Sequence, residues 1–148
     1  MTLKTLSLTV SLSCLLLSGC GSTGAPSCSD EAVKQLVLEI ADRETRQNFF
    51  ERGVSMRGIV LANRSYEAWR NNPPGDNASV LAVVEEVDQQ VTALNYRLTG
   101  VRTDGVNDQI RKVECGGTLT FLENNTSDIA FTAQYTDDNQ LWVEVFGL

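Results

Sequence analysis

Apolar residues recur along this chain with two different periods, and the change from one to the other divides it. Val33, Leu36, Val37, Ile40 and Ala41 fall at helical spacing, with Lys34, Glu39, Asp42 and Arg43 on the opposite face. This predicts a first helix running to about Phe50, with Gly53 as its stop. Ser27 and Asp30 have capping-box spacing, and Ser29 is a competing N-cap. Residues 54–70 leave two readings open. Ile59, Val60, Leu61, Tyr66 and Trp69 suit a second helix, whereas Gly58 and the contiguous apolar run suit a strand. Asn71-Asn72-Pro73-Pro74-Gly75-Asp76 is a loop. After a cap at Asn77 or Ser79, Val80, Leu81, Val83, Val84, Val87 and Val91 predict a third helix, with Glu85, Glu86 and Asp88 on its wet side.

From about Ala93 the period becomes two. Leu94, Tyr96 and Leu98 alternate with polar neighbours, as do Val113, Cys115, Gly117, Leu119 and Phe121, then Ile129, Phe131, Ala133 and Tyr135, then Leu141, Val143 and Val145. Turn residues separate these runs at Asp104-Gly105 with Asn107-Asp108, at Asn124-Asn125, and at Asp137-Asp138-Asn139. The expected fold is α+β, with N-terminal helices packed on one face of a four-stranded antiparallel meander sheet.

The first twenty residues follow neither period. Lys4 precedes an apolar run from Leu6 to Leu17, which ends in Leu17-Ser18-Gly19-Cys20. This stretch resembles a bacterial lipoprotein signal peptide with its lipobox. The resemblance implies cleavage before Cys20, which would then carry the lipid, and Gly21 where an Asp would retain the protein at the inner membrane. It therefore points to the cell envelope, with the outer membrane favoured. An ordinary signal peptide cut near Gly19 is the alternative reading. The run is much shorter than the roughly 20 residues a membrane-spanning helix needs. The expected organisation is a signal peptide over 1–19, a lipidated tether over 20–27 and one domain over 28–148.

Removing residues 1–19 takes away Lys4 and no acid, which moves the formal charge from −7 to −8. So acidic a chain repels phosphate backbones and anionic head groups, which argues against nucleic acid as a partner. Cysteine fates follow from the same resemblance. Cys14 leaves with the signal and Cys20 takes the lipid, so Cys28 and Cys115 remain to form a disulfide in an oxidising compartment. Cys115 is in phase with Val113, Leu119 and Phe121 and faces the core, which sets the start of the first helix over the middle of the second strand. Without His or a Cys-x-x-Cys, the pair has no redox or zinc signature.

Candidate chemistry is sparse. In the last strand Leu141, Val143 and Val145 take the core side, which leaves Trp142 and Phe146 beside Glu144 on the other. On an edge strand they suit a protein or peptide anchor, unless strand curvature or the later helices bury them. A pocket between the first helix and the sheet, lined by Tyr96, Phe121, Phe131 and Tyr135, would instead suit a small-molecule or lipid carrier. Asp104, Asn107 and Asp108, or Asp137, Asp138 and Asn139, supply oxygen ligands but lack EF-hand spacing. Glu85 and Glu86 diverge by about 100° on a helix, which separates them as a carboxylate pair. With no His there is no Ser-His-Asp or Cys-His arrangement, and we expect neither catalysis nor a cofactor nor a metal. The expected partners are the membrane, through the N-terminal lipid, and another envelope or secreted protein.

The mature chain as a whole is similar to small bacterial lipoproteins of uncharacterised function. The similarity rests on Cys28-Ser29-Asp30, on Cys115 in a strand ending Leu119-Thr120-Phe121, and on the run from Ile129 to Asp138 followed by Trp142-Val143-Glu144-Val145. A helix wrapped by a curved sheet also resembles cystatin-like and NTF2-like architectures, which host inhibitors, binders and enzymes alike.

Overall fold

The first helix runs past its expected stop. In the computed structural model, which describes residues 24–122 and 125–148, α1 spans Glu31–Met56. Gly53 lies inside it, where its missing side chain admits α3: a Cβ there would sit 2.7 Å from Val83 Cγ1. The true stop is Gly58, at φ +64, where the Gly58 N–H donates to Ser55 O and the Ile59 N–H to Val54 O in a Schellman motif. At the other end Asp30 is the N-cap, but its carboxylate accepts from the Ser27 N–H rather than from the helix. Cys20 and the predicted signal segment lie outside the described residues.

Residues 54–70 resolve into the end of α1, an irregular link and a short helix α2, Tyr66–Asn71, capped by Ser65 Oγ on the Ala68 N–H. Helix α3, Ala78–Leu94, is capped by Asn77, whose side chain accepts from the Val80 N–H. It ends at Asn95 in the left-handed region, φ 49. Leu94 therefore closes the helix rather than opening a strand.

The strands are β1 Arg97–Asn107, β2 Lys112–Phe121, β3 Asn125–Tyr135 and β4 Leu141–Phe146, in the antiparallel order β1-β2-β3-β4. Asp104-Gly105 belongs to β1 and is not the turn. The β1–β2 register shifts between Thr99 and Arg102 and again between Thr103 and Gly105, so these residues serve a bulged strand. The turn itself is carried by residues 108–111, with Arg111 at φ 52 and its N–H donating to Asp108 O.

The fold is thus the α+β arrangement expected, with a division of labour the periodicity did not show. The N-terminal half of α1 lays Val33, Val37 and Ala41 on the inner sheet face, against Val113, Leu119, Ile129, Phe131 and Val143. Its C-terminal half packs Phe50 and Val54 with Tyr66 and Trp69 of α2 and with the valine stripe of α3. Twenty-six residues make α1 about 39 Å long, enough to serve as a beam shared by both cores. Tyr96 packs against both. The Cys28–Cys115 disulfide ties the start of this beam to the middle of β2.

Candidate interaction surface and polar cluster

With α1 on one side of the sheet and α2 and α3 packed on α1, the outer face is built by parity alone. The register aligns three rows across it: Asn107, Lys112, Gln134 and Trp142; Gly105, Glu114, Thr132 and Glu144; Arg102, Gly116, Ala130 and Phe146. Between Trp142 and Glu144, Val143 points inward and is 8% exposed, while Trp142 and Phe146 are 55% and 53% exposed. Strand β4 ends the sheet order, so its outer edge has no strand partner among the described residues.

Arg102 and Phe146 stand at the two ends of the row that runs through Gly116 and Ala130. A Cβ on Gly116 would fall 2.4 Å from Arg102 Cζ, so only glycine lets the guanidinium lie across β2. Arg102 Nε also donates to Asp104 Oδ1 at 3.2 Å. In the adjacent row, Thr132 Oγ1 donates to Glu144 Oε2 at 3.4 Å. Lys112 and Arg102 oppose Glu114 and Glu144, so this face lacks the acidic bias of the chain. Apolar contact at Trp142 and Phe146 is its distinguishing feature.

The four aromatics expected to line a pocket fall in three places. Phe131 is 1% exposed in the sheet core. Tyr96 and Phe121 do meet, edge to face at 5.9 Å, where the two cores join. The Tyr96 hydroxyl donates to Thr45 Oγ1 at 2.8 Å, and burial raises its pKa above the ordinary tyrosine value. Tyr135 lies far along the sheet from that pair, beneath the Arg111 guanidinium at 5.0 Å from the ring centre.

A half-buried polar cluster joins the three helices at Arg46. Arg46 Nε and Nη2 donate to the two Asp42 carboxylate oxygens at 2.7 and 3.2 Å, and Nη1 donates to Asp88 Oδ1. The Tyr66 hydroxyl donates to the same Asp88 oxygen, and Arg70 Nε approaches Asp88 Oδ2 at 3.5 Å. The Arg46 side chain is 12% exposed. Its hydrogen bond to Asp42 holds its pKa above the ordinary arginine value, so it stays a cation. Burial, then the hydrogen bond to Asp88, raises Tyr66 and keeps its proton on. An open cleft of about 620 Å³ beside these groups is lined by Asp42, Arg46, Glu67, Arg70, Thr92 and Tyr96. Each charge in the cluster is committed to another, so it offers a clasp between helices rather than a free acid, base or nucleophile. The Asp42–Arg46 spacing of four was the available sequence signal.

The remaining candidates are held in local structure. Glu86 takes both its oxygens to Arg57 Nη2, while Glu85 accepts from Gln89. Asp138 accepts from Thr136 Oγ1 within the β3–β4 turn. Among the described residues no group of three or more His, Cys, Asp or Glu side chains is placed to hold a metal ion. No described helix is long and apolar enough to cross a membrane. Comparison with protein-family models, with curated proteins and with solved structures finds no match to this chain.

Proposed function

We propose that this chain is a lipid-anchored envelope protein that binds another envelope or secreted protein through the outer face of its sheet, with Trp142 and Phe146 as the anchors. One observation carries the reading: two large aromatics are more than half exposed on a sheet face that no described helix covers, beside a strand edge that has no strand partner among the described residues. Large aromatics dominate binding energy when a partner desolvates them, and an edge strand adds backbone hydrogen bonds. The anchor comes from the lipobox at Leu17-Ser18-Gly19-Cys20. The reading is one of binding and not of catalysis: the sequence holds no His for a Ser-His-Asp or Cys-His arrangement, and the charges around Arg46 pair with one another. A carrier has less support, because Phe131 is closed in the sheet core and Tyr135 lies under Arg111, away from the Tyr96–Phe121 pair.

Affinity capture from crosslinked cells tests this with the full-length protein and a Trp142→Ala, Phe146→Ala double variant. Because both side chains are largely exposed, the variant should unfold within about 1 kcal/mol of the native protein. Its recovery of a specific partner should fall at least about tenfold. An unfolded variant would show that the two residues are core, and unchanged recovery would move the binding surface elsewhere.

A further inference from the structure

We propose that the tip of the β1–β2 hairpin, through Val106 and Ile110, rests in the head-group layer of the bilayer that holds the anchor. The inference depends on Cys20 being lipidated, as in the function proposed above. Val106 and Ile110 are 60% and 57% exposed, one at the end of β1 and the other in the turn that follows. Apolar exposure alone would not single them out, since Leu122 at the far end of the sheet is 48% exposed.

The course of the chain separates the two ends. Gly24 lies against the β1–β2 turn, where a Cβ on it would be 3.9 Å from Asp108 Oδ1. Cys20 is four residues earlier, and four residues span at most about 14 Å when fully extended. A lipid on Cys20 therefore keeps the bilayer surface close to this turn. Leu122 is a whole strand away, and the ten residues of β2 span about 33 Å. The domain would stand with its strands running away from the membrane and its outer face, including Phe146, directed sideways toward a partner.

The contact is apolar and not electrostatic. Asp104, Asp108, Asp137 and Asp138 outnumber Arg102, Arg111 and Lys112 at this end of the sheet, so anionic lipid would weaken it. Short-range burial of two aliphatic side chains is weak by itself, but the tether holds them at high effective concentration against the surface.

The test uses full-length lipidated protein in phosphatidylcholine vesicles, its native disulfide intact, with an environment-sensitive fluorophore on Ile110→Cys or, separately, on Leu122→Cys. Vesicles carrying a nitroxide near the head groups should remove about half of the Ile110 probe's emission, which should also be shifted to the blue, and leave the Leu122 probe unchanged. Equal responses from the two probes on a lipidated, vesicle-bound protein would overturn the orientation and leave the anchor standing. An unmodified Cys20 by mass spectrometry, with protein that does not float with the vesicles, would instead remove the anchor on which the orientation depends.

Discussion

Serine at both Cys28 and Cys115 is expected to lower the free energy of unfolding by about 4 to 5 kcal/mol. The bond joins residues 87 apart, so it removes much of the freedom of an unfolded segment that contains all three helices and β1. Both cysteines are 2% exposed and sit in the helix-on-sheet core, where serine hydroxyls also add a desolvation cost. A loss of this size is a large share of the 5 to 15 kcal/mol that holds a typical domain together. Urea unfolding of the oxidised protein against the double serine variant measures it. A difference below about 1 kcal/mol would mean that the shared α1 beam holds helix and sheet together without the crosslink.

Arg46→Met should cost about 2 kcal/mol, the second largest effect we expect from a change at one site. Removing the cation takes from Asp42 its two guanidinium donors and leaves Asp88 with the Tyr66 hydroxyl and Arg70. Breaking a fully buried pair costs about 3 to 5 kcal/mol, but these carboxylates are 40% and 34% exposed and can rehydrate, which reduces the figure. Met keeps most of the aliphatic volume, so lost packing is not the cause. A double-mutant cycle with Tyr66→Phe isolates the shared part, because both groups donate to the same Asp88 oxygen. Additive effects within about 0.3 kcal/mol would show that the two donors act independently.

The parts of this fold that were legible in the sequence are those where one face is buried and the other wet. Val33 to Ala41 drew the α1 stripe, and parity placed Val143 inside and Trp142 outside, because a slip of one residue would reverse every side chain of the strand. Glycines were legible as irregularities but not as to kind. Gly53 admits Val83 of α3 rather than ending a helix, and Gly105 follows a bulge rather than making a turn. Both depend on a neighbour distant in sequence. Periodicity likewise shows that a stripe will be covered but not by what, so the separate helical core around Phe50, Tyr66 and Trp69 emerged only in three dimensions. Asp42 and Asp88 looked like charges on wet faces because their common partner, Arg46, is brought to Asp88 by packing across 42 residues. The four proposed pocket aromatics shared a face in one dimension, yet the distance along the sheet separates Tyr135 from Tyr96 and Phe121.

The central claim is that the outer sheet face is the working surface. Its most direct test places a photoreactive benzoylphenylalanine at Trp142 in the full-length protein in living cells, with the same group at Leu122 as the control. The account predicts a discrete crosslinked species from position 142, absent from position 122 and competed away by excess native protein. A species formed equally from both positions, or none from position 142 on a protein that is folded and abundant, would contradict it.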